Sequence, residues 1–368
     1  MKKKIAVIGL KGLPALGGAS TVGENIIKNL KNDYEFEVLS ISNYASEKNI
    51  YNIKQTIFKS ISNSKINIGY YYVRCLIYVL FQKKFDLIHL HHSESGFITP
   101  FLRLRYKVVT TYHGMFLNGY KDPKFSSLVN YFFRFSQFLN IKFSNVNVSV
   151  SSQDLLYLKS KNKHGLARYI SNGVDTFLSN SNNSSLGYVC FAANRIYEIK
   201  GLHILIDAIK IANFQKKVIV IGELNHVPKY KKKILESLEG LEIEFLGLVR
   251  SKSELFKIIK GSDFFVFPSI KESMSMMLLE VASLKIPVIA SDIPENKCLF
   301  EEDEIFYFES NSPDSLSKKL LFLNSNLELG KIYAERAFQK VEKDFSWQRI
   351  ASEYSKIYDY LLRIRINK

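Results

Sequence analysis

One repeated alternation restricts this chain more than any other feature. Short apolar runs of strand type are each followed by a segment whose apolar residues recur at helical spacing. In the first half the strand runs fall at 5–8, 37–42, 87–90, 107–112 and 146–150. Helical spacing falls at 21–30, 70–81 and 128–143. The pattern then starts again, with strand runs at 188–192, 217–221, 243–246, 264–267 and 288–290, and helices at 202–212, 231–238, 254–259 and 274–284. Strands buried on both faces and alternating with helices imply a parallel sheet covered on two sides. The expected fold class is therefore α/β, with two doubly wound parallel-sheet domains in tandem. The polar run Asn180-Ser181-Asn182-Asn183-Ser184-Ser185 marks the break between them. A domain spans 1–172, a linker 173–186, and a second domain 187–345. Residues 346–368 form an amphipathic C-terminal helix placed to return to the first domain. Ligands on such sheets sit outside the carboxyl ends of the strands, so two facing sheets would put the site in a cleft.

Length and composition agree with this picture. The 368 residues accommodate two domains at roughly 150 residues each. With 46% hydrophobic and 23% charged residues, disordered, collagenous and coiled-coil chains are excluded. No apolar run approaches the roughly 20 residues of a membrane span, and the basic, briefly apolar N-terminus reads as a first strand. Three scattered cysteines provide neither a disulfide framework nor a metal spacing, which fits a reducing cytoplasm. The net charge of +16 is uneven. Residues 1–180 carry 24 Lys and Arg against 10 Asp and Glu, and the remainder is nearly neutral. A basic domain beside a neutral one calls for an anionic partner of the first half: a phosphorylated ligand, an anionic membrane or a nucleic acid.

Four groups of residues could carry chemistry. The loop from Gly9 to Gly18 follows a strand and precedes a helix, so its N–H groups can hold an anion. Its glycines, at 9, 12, 17 and 18, do not make a dinucleotide fingerprint. The Gly17-Gly18 pair suits close approach of a ligand. Arg195 and Lys200, five apart after a strand, can converge on one diphosphate, the guanidinium as a fork and the ammonium as a point charge. Glu272 precedes and Glu280 enters the helix after the strand at 264–267. With Ser273 as the helix cap, N–H groups around Ser273, Met274 and Ser275 would face a phosphate. His89, His91, His92 and His113 fall at strand ends of the first domain. Adjacent His91 and His92 would point to opposite faces of a strand, and no ligand set for a metal accompanies them. His113, before Gly114, is the active-site candidate.

In order and spacing, Arg195–Lys200, Glu272–Glu280 and the following Pro287-Val288-Ile289-Ala290-Ser291 resemble glycosyltransferase family 4, of GT-B fold. So do Ser171-Asn172-Gly173-Val174-Asp175 and Phe345-Ser346-Trp347. The first loop, the Glu272–Glu280 stretch and Ser291-Asp292-Ile293-Pro294-Glu295-Asn296 are similar to the rhamnosyltransferase-type branch of bacterial surface-polysaccharide synthesis. The resemblance implies two Rossmann-like domains and a retaining, metal-independent hexosyl transfer from a nucleotide sugar, with no cofactor. Arg195, Lys200, Glu272 and His113 would serve the reaction. Glu280 would bind the ribose, and Ser273, Met274, Ser275, Gly17 and Gly18 would line the donor. The acceptor would be a saccharide on a polyprenyl diphosphate, and the protein cytoplasmic or peripheral on the inner membrane face. Tyr131-Phe132-Phe133-Arg134-Phe135, following Lys121-Asp122-Pro123-Lys124-Phe125, is a helix for either an anionic interface or the core. A nucleotide-sugar epimerase or hydrolase of the same fold is the alternative enzyme, and a non-catalytic nucleotide- or glycan-binding protein the alternative class. No nucleic-acid motif is present.

Overall fold

The computed structural model describes residues 2–15, 18–61, 66–82, 84–115, 127–161, 165–175 and 185–363. Two compact units divide the chain, Met1–Gly173 with Trp347–Lys368, and Val174–Ser346.

The first unit opens with β1 (Lys3–Lys11), α1 (Gly18–Leu30), β2 (Tyr34–Ile41), β3 (Asn49–Ile50) and β4 (Ile53–Phe58). Helix α2 (Ile66–Ile77) continues as a π-helical turn, Tyr78–Gln82, so the single helix expected at 70–81 changes pitch in its last turn. After β5 (Leu87–His91), a 3₁₀ turn (Ser93–Phe97) and α3 (Thr99–Arg103) lead into β6 (Lys107–Tyr112). Then come α4 (Ser127–Phe143), β7 (Val146–Ser149), α5 (Ser152–Lys161) and β8 (Leu166–Tyr169). The eight strands lie in the order β3-β4-β2-β1-β5-β6-β7-β8, parallel except for the β3/β4 hairpin. Along β1, Ile5 and Val7 join the core on one face of the sheet, and Ala6 and Ile8 the core on the other.

The second unit contains β9 (Tyr188–Arg195), α6 (Leu202–Ile211), β10 (Val218–Glu223), α7 (Pro228–Glu236), β11 (Ile243–Gly247), α8 (Lys252–Lys260) and β12 (Ser262–Phe267). It goes on through α9 (Met276–Ala282), β13 (Val288–Ser291), α10 (Pro294–Lys297), β14 (Phe306–Phe308), α11 (Pro313–Ser325) and α12 (Leu327–Asp344). Six parallel strands run β11-β10-β9-β12-β13-β14. Helix α13 (Trp347–Arg363) then rejoins the first unit, burying Trp347, Ile350, Tyr354 and Tyr358 in the core beside α1.

The chain passes between units at Gly173/Val174. Val174 lies in the second unit's core, and its N–H donates to the Phe345 carbonyl at 2.8 Å. The boundary between the units thus falls inside the 173–186 stretch expected as a linker, with Gly173 in the first unit and Val174 packed in the second. The rest of that run, 176–184, lies outside the described residues, as do Gly17 and the 116–126 stretch containing Lys121, Lys124 and Phe125. No described helix is long and apolar enough to cross a membrane.

Both sheets reverse their winding at a definite point. In the first, successive strands spread outward on either side of the β1/β5 pair. In the second they spread from β9/β12. Carboxyl ends at such switch points leave a crevice that helices do not cover. These are the ends of β1 at Lys11, β5 at His91, β9 at Arg195 and β12 at Phe267.

Candidate active site

In the second unit, β9 delivers Arg195 at its end, in register with Glu223 of β10. Arg195 is exposed and has no ion-pair partner among the described residues. A 3₁₀ turn, Glu198–Lys200, carries the chain from there to α6. Gly201 between them has φ 72°, and a Cβ there would stand 1.9 Å from the Pro268 carbonyl oxygen. Only glycine lets the turn approach the end of β12 this closely. The approach is fixed by the Ile270 N–H donating to the Ile199 carbonyl at 2.8 Å. It brings the Lys200 ammonium to 2.5 Å from Glu272 Oε1 in a largely buried ion pair. Two residues 72 apart in sequence thus meet at the switch point.

Glu280 lies in the second turn of α9, its carboxylate mostly covered. It pairs with Lys252, the first residue of α8, at 2.9 Å. The same ammonium is 3.8 Å from Asp175. The expected cap of α9 is corrected: Ser275, not Ser273, stands at the N-cap, and its hydroxyl does not cap. It donates instead to Asn296 Oδ1 at 2.6 Å, while the N–H of Met276 turns back to the Met274 carbonyl. Ser273 is exposed in the loop, and Met274 packs against the core. Asn296 is fully buried and also donates to the Ser291 carbonyl at 2.9 Å. Ser291 Oγ in turn donates to the Ser269 carbonyl at 2.5 Å. These bonds tie the ends of β12 and β13 to the starts of α9 and α10, so the loop bearing Glu272 is held at both ends.

In the first unit the histidines gather at the β5/β6 ends. His91 Nδ1 lies 3.0 Å from His113 Nε2, with the two rings stacked. The alternation argument for His91 and His92 does not hold. His92 has φ 70°, which turns the chain out of the strand and sets its ring 5.3 Å from His113 as well. His89 is completely buried between Thr111 and the α13 residue Tyr358. Burial lowers all four histidines, His89 to about 3, so the cluster is neutral at neutral pH. No group of metal-ligating side chains forms among the described residues.

Comparison with known sequences decides what these sites belong to. A model of Glycosyltransferase Family 4 matches residues 16–177, and one of Glycosyl transferases group 1 matches 162–340. Together these glycosyltransferase models span residues 16–340, so the chain is a glycosyltransferase. It is 29% identical over 359 residues to an uncharacterized glycosyltransferase of Methanocaldococcus jannaschii, covering 95% of this chain and 96% of that one. The O-antigen biosynthesis glycosyltransferase WclY of Escherichia coli is 23% identical over 368 residues, with 94% and 96% covered. Among solved structures, HepE of Anabaena in complex with UDP and glucose superposes with a TM-score of 0.75 at 18% identity, covering 98% and 100%. The fold is GT-B, and the chain is a transferase by family.

Three residues of this glycosyltransferase escaped the sequence reading. Lys252 meets Glu280 only because the tertiary fold brings the start of α8 to α9, and no spacing announces that contact. Glu295 is the second residue of α10, four residues after β13. Burial pushes its carboxyl above the usual range and the nearby Glu272 carboxylate adds to this, while its own backbone N–H and Lys271 oppose it. Glu24 on α1 is buried, accepts from the Ala15 N–H at 2.5 Å and pairs with Lys28, and so shapes the loop after β1. A carboxylate in the second turn of a helix that follows a Gly-rich loop is a usable signal for that role.

Proposed function

We propose that this chain transfers a hexose, rhamnose in the branch it resembles, from a nucleotide sugar to a saccharide acceptor. The acceptor is a polyprenyl-diphosphate-linked glycan of bacterial surface polysaccharide, met at the inner membrane face by a peripheral protein. The observation that carries this reading is the Lys200–Glu272 pair at the β9/β12 switch point, where β9 ends at Arg195, with Glu280 in the second turn of α9. A diphosphate there would take Arg195 as a bidentate donor and Lys200 as a point charge. Glu272 holds the Lys200 ammonium in place, and offers its second oxygen to sugar hydroxyls. Glu280, with Lys252 fixing its carboxylate, would accept from ribose hydroxyls.

As the glycosidic C–O bond breaks, negative charge grows on the leaving phosphate, and Lys200 and Arg195 stabilise it where it forms. His113, neutral and held by His91, has a nitrogen free to bond a sugar hydroxyl without adding charge. No carboxylate is required as a nucleophile: the acceptor hydroxyl attacks on the face the phosphate leaves and passes its proton to the departing phosphate oxygen, with retention and without a metal. The uneven charge supports an anionic acceptor for the first half.

Thermal unfolding with UDP, GDP, dTDP, ADP and CMP tests this. One nucleotide at 100 times its Kd should stabilise the wild type by about 2.7 kcal/mol, and Glu280→Ala should lose that stabilisation. No shift in the wild type, or an equal shift in the variant, would refute the site. Full-rate consumption of a nucleotide sugar without acceptor would favour the hydrolase or epimerase alternative.

A further inference from the structure

Helix α4 is inside out. A helix covering a sheet normally buries its apolar stripe and exposes its polar one. The buried positions of α4 are Asn130, Ser136, Gln137, Asn140 and Ile141, four of them polar. Its outward face carries Leu128, Tyr131, Phe132, Phe135 and Phe138, exposed by 77, 69, 45, 49 and 51%. These positions recur at i, i+3, i+4, i+7 and i+10, one continuous stripe.

The inversion is built in. Thr99 Oγ1 donates to Asn140 Oδ1 at 2.5 Å, and Asn140 Nδ2 donates to the Ser93 carbonyl at 3.2 Å and to Ser95 Oγ at 3.1 Å. Ser136 Oγ donates to the Ser93 carbonyl at 2.8 Å, and Ser93 Oγ donates to Gln137 Oε1 at 3.3 Å. Rolling the helix to hide its aromatic rings would strand this buried network at about 1–3 kcal/mol per orphaned group. The stripe stays outside because the polar face is spoken for.

The rings are framed by positive charge. Helix α4 contains no acidic residue, and Arg134 and Lys142 are exposed on it. The neighbouring α3 exposes Phe101 and is followed by the exposed Leu104 and Arg105. The Arg105 guanidinium donates to the Leu80 carbonyl, next to the exposed Phe81. From residue 98 to 150 the chain has seven Lys and Arg against a single Asp. Exposed aromatic rings among cations fit the boundary of an anionic bilayer, where rings enter the acyl edge and cations meet headgroup phosphates.

We infer that the outward face of α4, with Phe101 and Leu104, docks the protein on an anionic lipid surface. This rests on the peripheral-membrane part of the proposed function and names the surface responsible. Co-flotation of the full chain with vesicles of phosphatidylcholine, alone or with phosphatidylglycerol, tests it without nucleotide or transfer. The wild type should float with the anionic vesicles. Phe135→Ser with Phe138→Ser should cut that binding by about tenfold or more. Arg134→Glu with Lys142→Glu should cut it about fivefold per cation removed. All four positions are exposed, so thermal unfolding should be unchanged. Wild type that floats while both variants float equally would overturn the assignment of this face and leave the membrane reading intact. Wild type that does not float would overturn both. A lipid-free dimer dissolved by the Phe substitutions would give the face to a second copy of the chain instead.

Discussion

Two glycines with nearly the same backbone conformation should respond very differently to alanine. Gly201 has φ 72° and Gly240 has φ 74°. A Cβ at Gly240 would meet nothing within 4 Å, whereas one at Gly201 would stand 1.9 Å from the Pro268 oxygen and 2.7 Å from its carbon. Both substitutions carry the left-handed strain of about 1–2 kcal/mol. Only Gly201→Ala must also push two backbone segments apart. Real Cβ atoms essentially never come closer than 3.0 Å to another heavy atom, so the carbonyl must move by more than an ångström. That movement pulls on the 2.8 Å bond between Ile270 and Ile199, worth about 1 kcal/mol. The expected loss is about 1–2 kcal/mol for Gly240→Ala and about 2–3 kcal/mol for Gly201→Ala, summing these terms.

The functional consequence is sharper. Lys200 precedes Gly201, and Glu272 follows Pro268 by four residues. A shift of about 1 Å between them separates the pair, and displacements of that size cost about a hundredfold in rate. Urea unfolding followed by far-UV circular dichroism reads the stability. The single tryptophan, Trp347, belongs to the first unit, so its fluorescence should barely sense either change. Nucleotide-induced stabilisation should survive Gly240→Ala and be lost in Gly201→Ala. Equal destabilisation by the two, or unchanged nucleotide binding in Gly201→Ala, would refute the close-approach argument.

Two further outcomes follow from the histidine cluster. Because burial lowers His89 to about 3 while an unfolded histidine titrates near 6.5, stability present above pH 6.5 is lost as pH falls below it. His89 alone should remove about 2 kcal/mol between pH 7 and pH 5. Urea midpoints by Trp347 fluorescence check this, and a flat profile would mean that the cluster is not held neutral. Tyr358→Phe should cost about 1–3 kcal/mol by the same assay, because it removes the hydroxyl 2.7 Å from His89 Nδ1 and leaves a buried nitrogen unpaired. A loss near zero would show that water replaces it.

The parts of the fold legible in sequence are those where one local rule decides. Continuous apolar runs marked the central strands, and the Arg195, Lys200, Glu272 and Glu280 spacing marked the donor-side candidates. Elements were missed where the local signal is unusual. The β3–β4 hairpin turns through Tyr51 and Asn52, both at positive φ, without the glycine that normally announces such a turn. Helix α11 was missed although it carries a start signal, Ser312 capping Ser315 with Pro313 after it, and a buried stripe of Leu316, Leu320 and Leu323. Edge strand β8, largely uncovered, has no apolar run to betray it. Contacts that only packing creates were out of reach, such as Lys200 with Glu272 or Lys252 with Glu280. The Ser273 cap failed because an equally suitable serine stands two residues on and is claimed by Asn296.

Hydrogen-bond bookkeeping separates the roles of the four histidines. Thr111 has one hydroxyl proton and directs it to the Tyr354 oxygen at 3.3 Å. Its contact with His89 Nε2 at 2.8 Å must therefore be one it accepts, which puts the imidazole proton on Nε2. Neutral His89 is then an acceptor at Nδ1, and Tyr358 donates to it. Both nitrogens of His89 are spent inside the unit, on α13 and β6, so it anchors the C-terminal helix and has nothing left for a ligand. His113 has committed only Nε2, to His91. The row His89–His91–His113, tilted at its first contact and stacked at its second, therefore passes from a ring fixed on both sides to one with an uncommitted nitrogen. Packing α13 against β5 fixes the His89 ring and, through His91, the orientation of His113.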